Sequence, residues 1–197
     1  MADHYYSAMP ESAHDIRRIT VACLSHTLEF ETDAGVFSKD DLDTGSRLLI
    51  ETAPKLSGRA LDLGCGWGPV GAFLAKENPE AEIVLSDINE RAAGLAKSNL
   101  ERNGIRNAQV VVSDAFSGLT GLFDTILTNP PIRTGKQNIY AMFDAAKEFL
   151  KEGGSLLIVI RKQQGAPSAV KHLQEVYGNA EAIAKDKGFW IVRSVKG

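Results

Sequence analysis

The chain is poor in cysteine, in long apolar runs and in net charge. Its two cysteines, Cys23 and Cys65, stand far apart among 197 residues and have no metal-ligand spacing. That argues against a disulfide framework or a thiolate metal centre. No metal is expected, and a reduced, cytoplasmic setting is. No apolar stretch reaches the roughly 20 residues that a membrane-spanning helix needs. The opening MADHYYSAMPES also lacks the pattern of a secretory leader, so no membrane association is expected. The formal net charge is −3, which excludes a chain that clings to nucleic acid through bulk charge. Any such contact must come from a local basic cluster. There is no internal repeat and no low-complexity linker. What remains is an ordinary globular composition, expected as one domain over 1–197, with an N-terminal extension over 1–55 and a core over 56–197.

The chain is organised around LDLGCGWGPVG, residues 61–71. An apolar run from Ala60 to Leu63, interrupted by Asp62, breaks into glycines. This reads as a buried parallel strand, a tight turn and a helix that opens on Pro69. Two ligand readings compete. Residues 66–71 are a literal GxGxxG, and Asp87 ends the next apolar strand, as in a dinucleotide site. Against this, Asp62 sits immediately before the glycines, where a carboxylate repels a pyrophosphate and attracts a cation. The glycines that directly follow the strand are Gly64, Gly66 and Gly68, a GxGxG offset from the dinucleotide pattern. A ligand with an ammonium, a sulfonium and a ribose but no phosphate fits better: S-adenosylmethionine. An NAD-binding oxidoreductase remains the rival from another class.

The rest of the chain alternates helix and strand. Residues 17–32 predict a β-hairpin turning at Ser25-His26. Thr44 or Ser46 is expected to cap a helix over 47–53. Further helices are expected over 69–77, 90–102, 142–150 and 166–176, with buried strands over 82–86, 110–113, 123–128 and 155–160. Gly153-Gly154 is expected to turn the chain between helix and strand. The end, 180–195, reads as a hairpin with its turn at Lys185–Gly188. For Asp87, a ribose role is favoured over capping, because Asn89 caps the next helix better. Phe37 and Ser38 read equally as an edge plug or as a cover over the ligand, and Asp43 as structural. His4, Tyr5, Tyr6 and Ser7 read as a loose aromatic anchor or as a flap.

The segments HYYS (4–7), GVFSKDDLDTGSRLLI (35–50), LDLGCGWG (61–68), SDIN (86–89), TNPPIR (128–133) and KQQGAPSAVK (162–171) together resemble the class I S-adenosylmethionine-dependent methyltransferases. More narrowly, they resemble the RsmC-like small-domain group, whose characterised members methylate guanine N2 in small-subunit ribosomal RNA. The resemblance covers nearly the whole chain. It implies an α/β Rossmann-like fold with a seven-stranded, mostly parallel sheet in the order 3-2-1-4-5-7-6, preceded by an N-terminal β-hairpin. It implies a cofactor set of Asp62, Gly64, Cys65, Gly66, Asp87, Ile88, Asp114, Ala115 and Asn129. In this set Asp114 meets the adenine amino group, and Ala115 leaves room for the ring. The expected partner is ribosomal RNA or the small subunit, with the oligomeric state open. Methylation of a protein glutamine and a non-catalytic RNA-binding module are the remaining rivals.

Asn129-Pro130-Pro131 suits transfer to an exocyclic amine. Such a nitrogen donates two hydrogen bonds while its lone pair is conjugated. The side-chain oxygen of Asn129 and the main-chain oxygen of Pro130 can accept both, turn the lone pair towards the methyl and stabilise the charge that develops. The prolines stiffen the loop and remove backbone donors. Relatives acting on adenine or glutamine commonly carry an aromatic residue next. Here it is Ile132, which weakens those targets more than guanine. Pro131 and Ile132 are expected against the base. Arg133, Lys136, Arg161 and Lys162 are expected as a basic rim for phosphates. Trp190 reads as sheet packing.

Overall fold

The computed structural model describes residues 14–131 and 135–197. It opens on an antiparallel ribbon, β1 (Arg17–Cys23) and β2 (His26–Thr32). Alternation along the two strands buries Val21, Cys23, Leu28 and Phe30 on one face. Cys23 pairs with His26, so Leu24 and Ser25 make the turn, one residue earlier than the sequence predicts. His26 is therefore a strand residue, and its ring meets Glu77 at 3.0 Å. Helix α1 (Thr44–Thr52) is capped by Asp43, whose carboxylate accepts the Ser46 N–H at 3.0 Å. Thr44 and Ser46, the expected caps, lie inside the helix.

Seven strands form the main sheet: β3 (Arg59–Leu63), β4 (Glu82–Asp87), β5 (Ala108–Val112), β6 (Phe123–Thr128), β7 (Leu150–Arg161), β8 (Glu181–Asp186) and β9 (Phe189–Val195). Their order is β5-β4-β3-β6-β7-β9-β8, and β9 runs antiparallel to both neighbours. Counted from β3, this is the expected 3-2-1-4-5-7-6. The order reverses between β3 and β6, which opens a crevice at their carboxyl ends.

Both faces are covered, as a mostly parallel sheet requires. One layer holds α1, α2 (Pro69–Glu77) and α3 (Glu90–Arg102). The other holds α4 (Lys136–Phe149) and α5 (Ala166–Tyr177). Strand β3 shows the division: Ala60 packs into the first layer, and Leu61 and Leu63 into the second. Helix α2 is buried from Pro69 to Ala75. The apolar face of the ribbon joins the same core, with Phe30 edge-on to Trp67 at 4.9 Å and tilted on Phe73 at 5.9 Å. The ribbon is also fastened through side-chain amides of α3. Asn99 accepts from the Glu31 N–H at 2.7 Å and donates to the Glu31 carbonyl at 2.9 Å. Asn103 repeats the pair with Glu29 at 3.1 and 2.7 Å.

Further expectations change. Helix α4 begins at Lys136 rather than Met142. Its first turn exposes Lys136, Gln137 and Asn138, and Gly135 at its N-cap offers no capping side chain, so no start signal marks it, although Ile139, Phe143 and Ala146 keep helical spacing. Gly153 and Gly154 lie within β7, where the pairing with β6 shifts register, rather than ending a helix. A Cβ on Gly154 would meet the Lys151 carbonyl at 2.8 Å, so the irregularity requires glycine. No helix among the described residues is long and apolar enough to cross a membrane.

Candidate active site

The crevice at the strand ends is a cavity of about 980 Å³. Its floor is the bend after β3. The Gly64 and Cys65 N–H groups both donate to the Ser86 carbonyl, at 2.8 and 2.9 Å, and the Gly68 N–H closes a turn onto the Cys65 carbonyl at 3.0 Å. Gly64 and Gly66 have φ of +75° and +56°, and a Cβ on either would meet nothing within 4 Å. Open space above a left-handed glycine is what a ligand needs to approach the backbone.

Two acids border this floor. Asp62 is 3% exposed, and its carboxylate accepts the Gly71 N–H at 2.9 Å, at the start of α2. Burial pushes its pKa up to about 7; the Gly71 bond opposes the rise and the charge of Asp87 adds to it. Asp87 ends β4. One oxygen accepts the Gly66 N–H at 2.8 Å and the other the Asn89 N–H at 2.9 Å, and burial raises its pKa despite those bonds. Each carboxylate oxygen can accept more than one hydrogen bond, so both acids keep acceptor capacity. Neither acid forms an ion pair among the described residues. Burial also lifts the Cys65 thiol well above its usual value, which disfavours its thiolate.

The opposite wall is built on β6. The Thr128 hydroxyl donates to the Leu63 carbonyl at 2.8 Å and ties the Asn-Pro-Pro loop to the glycine bend. The amide nitrogen of Asn129 donates to Asp43 at 3.2 Å and to the Ser46 hydroxyl at 3.1 Å. Both bonds use the amide N–H groups, so the start of α1 fixes the side chain with its carbonyl oxygen as the remaining acceptor. Pro130 and Pro131 line the cavity beside it.

The roof is residues 33–43. The Trp67 indole donates to the Phe37 carbonyl at 3.0 Å, Asn89 to the Gly35 carbonyl at 3.3 Å and Arg91 to the Ala34 carbonyl at 2.9 Å. Phe37 is 44% exposed at the cavity, and Ser38 holds a φ of +54°. Ala115, in the loop after β5, also has a positive φ, 47°. That loop is braced by Ser113, which donates to the Ala115 carbonyl at 2.9 Å and accepts the Gly118 N–H at 3.0 Å.

Asp62, Gly64, Cys65, Gly66, Asp87, Ile88, Asp114, Ala115, Asn129, Pro130, Pro131 and Arg161 thus face one cavity. Lys136 and Lys162 stand outside its wall. Lys136 lies over the Tyr140 ring at 5.1 Å, and Lys162 begins an exposed 3-10 turn. Ile132, Arg133 and the His4–Ser7 segment lie outside the described residues. Helix α4 also carries Asn138, Ala141, Met142 and Ala145 to the cavity; the first two precede the helix start expected at Met142, and no motif marks the others. Phe189 lines the cavity too, again with no motif to mark it. Asp43, read as structural, caps α1 and also holds Asn129.

The model of the methyltransferase small domain matches residues 27–193. The uncharacterized protein YbxB of Bacillus subtilis is 42% identical, with 100% of both chains covered. The ribosomal RNA small subunit methyltransferase C of Vibrio vulnificus is 33% identical over 91% of this chain and 53% of its own. Among solved structures, the T. thermophilus 16S rRNA N2 methyltransferase RsmC, in complex with AdoMet and guanosine, superposes with a TM-score of 0.83 at 27% identity. It covers 92% of this chain and 51% of that one. The chain spans about half the length of the curated ribosomal RNA methyltransferases it matches.

Proposed function

The chain belongs to the methyltransferase small domain family, and from that premise we propose that it transfers a methyl group from S-adenosylmethionine to the exocyclic N2 of a guanine in small-subunit ribosomal RNA. The observation that carries this reading is the buried Asp62 and the half-buried Asp87, neither with an ion-pair partner among the described residues, at the floor of a cavity whose far wall holds Asn129 by its amide nitrogen. Carboxylates withdrawn from water without counter-charges are costly, Asp62 most of all. A cationic ligand relieves that cost and a pyrophosphate aggravates it, which tells against a nicotinamide cofactor. The open space above Gly64 and Gly66 accommodates such a ligand.

Asp62 would hold the ammonium of the donor, Asp87 its ribose hydroxyls, and Asp114 with Ala115 its adenine, with Cys65 and Ile88 packing alongside. S-adenosylmethionine supplies an activated methyl on a positively charged sulfur. The protein therefore needs no strong base or nucleophile. The Asn129 and Pro130 oxygens accept the two N–H groups of the target amine and leave its lone pair towards the donor. As positive charge grows on nitrogen, both oxygens stabilise it. Asp43 and Ser46 keep Asn129 from turning its amide nitrogen into the cavity. Pro131 and Ile132 would pack against the base, and Arg133, Lys136, Arg161 and Lys162 would meet phosphates. The relatives' names and the guanosine bound by the T. thermophilus enzyme support the choice of substrate.

The test is incubation with methyl-labelled donor and, separately, transcribed small-subunit RNA, assembled small subunits and a glutamine-bearing peptide, followed by nucleoside analysis. Label in guanine N2 is the expected result. Label in the peptide, or RNA binding without any transfer, overturns the assignment.

A further inference from the structure

The cavity wall continues outward from Asn129 through α1 to the far edge of the sheet. Asp43 and Ser46, which hold Asn129, flank Gly45. Gly45 lies against Phe189, and a Cβ there would stand 2.9 Å from that ring. The Phe189 ring carries the Arg161 guanidinium at 4.6 Å, and both residues line the cavity. Arg161 pairs with Phe189 in register, so they share one face of the sheet. Asn129 and this stacked arginine thus belong to one continuous surface, on the side of the cavity away from the two acids.

Beyond Arg161 the surface becomes a basic tip. Lys187 and Gly188 connect β8 to β9 with φ of 46° and 82°. Positive φ at both central residues is the geometry of a tight, rigid hairpin turn. The Lys162 N–H donates to the Gly188 carbonyl at 2.8 Å and fastens the 3-10 turn after β7 to this tip. Lys185 pairs with Trp190 in register and lies over its ring at 4.0 Å, on the sheet face opposite Arg161 and Phe189. Four exposed cations, Arg161, Lys162, Lys185 and Lys187, therefore surround one turn, with Asp186 the acid among them. None of the four is ion-paired among the described residues. Two of the four are held on aromatic rings, which fixes their charge without neutralising it.

We infer that the β8–β9 turn is a docking surface for the phosphates of RNA nucleotides flanking the target base, with Lys185 and Lys187 as its outer contacts. This rests on the RNA methyltransferase reading above. A base that enters a cavity must leave its stack, and the strand on one side of it then needs support. A hairpin tip that carries cations on both faces of the sheet, fastened beside Arg161 at the cavity mouth, provides that support in a chain whose overall charge is negative.

The experiment compares wild type with Lys185→Glu/Lys187→Glu, with the charge-preserving Lys185→Arg/Lys187→Arg, and with Lys55→Glu/Arg106→Glu. The last pair makes the same charge change at exposed positions preceding β3 and β5, at the amino edge of the sheet. Binding of a small-subunit RNA fragment is measured across a salt series, and methyl transfer is measured on that fragment and on assembled subunits. The hairpin reversal is expected to weaken RNA binding about tenfold or more. It is also expected to flatten the log–log salt slope by about 1.4, at roughly 0.7 per single-strand contact. Donor affinity and turnover at saturating RNA should stay unchanged. The arginine pair should bind like wild type, and the amino-edge pair should change little. Equal losses from both reversals mean only bulk charge and overturn the inference. So does a loss confined to assembled subunits, which would assign the turn to a protein partner. If wild type itself neither binds nor methylates RNA, the functional reading fails first.

Discussion

The substitution Asp62→Asn isolates the contribution of one buried charge. In the fold, the carboxyl titrates near 7 instead of 3.8. Between those values the folded chain holds a proton that the unfolded chain has released, so stability falls as pH rises through this window and levels off above it. The slope from one such group reaches about 1.4 kcal/mol per pH unit, and the whole window amounts to something on the order of 4 kcal/mol. Asp87, also raised, adds to the trend. Asp33, Asp124 and Glu31, all lowered, act in the opposite sense, but only at more acid pH. The amide of the variant keeps an oxygen for the Gly71 N–H and removes the charge. Urea unfolding of the ligand-free protein at pH 5 to 8 should show the variant gaining on wild type steadily up to pH 7 and holding that gain above it. A bound donor cation favours the ionised form, so in wild type donor affinity should fall below pH 7 by up to tenfold per unit. In the variant it should be weak and flat. Parallel stability curves for the two proteins, or a gap that closes as pH rises, would show that the carboxyl is not the costly buried group described.

Further outcomes test the rest of the site. Asn129→Ala should lower turnover by about 10² to 10³, with donor affinity by calorimetry changed less than about twofold, since Asn129 is read as acting on the transition state. Asp43→Ala should cost about 1 kcal/mol of stability through the lost cap and cut turnover, yet add nothing in the Asn129→Ala background; additive losses would refute its action through Asn129. Asp87→Ala should weaken donor binding on the order of 10²-fold through lost charge-assisted bonds, seen as loss of the donor-induced rise in melting temperature. Asn99→Ala strands the buried Trp67 carbonyl and the part-buried backbone groups of Glu31 and should destabilise by roughly 1–3 kcal/mol in urea titrations; a change under about 0.5 kcal/mol would show those bonds to be replaced by water.

The cavity floor was legible because it is written in local chemistry, whereas the strand order followed only from the family resemblance. An apolar run, an acid and glycines in series give β3 and its bend, and Asp87 and Asn129 each close an apolar run. The start of α4 was not legible. Gly135 gives it no capping side chain, its first three residues are polar and exposed, and only the buried spacing of Ile139, Phe143 and Ala146 marks it as helical. The Asp43–Asn129 contact joins residues 86 positions apart, and only the folded topology brings them together. Phe189 was equally silent: nothing in its neighbours shows that Arg161 will lie across it.

The paired amides on α3 have an effect beyond holding the ribbon in place. The outer margin of β2 would otherwise present backbone donors and acceptors at Glu29 and Glu31 to any passing extended segment, an invitation to polymerise. Asn99 and Asn103, one helical turn apart, occupy those groups as a neighbouring strand would. Helix α3 thereby acts as a counterfeit strand and closes that margin to recruitment by another copy.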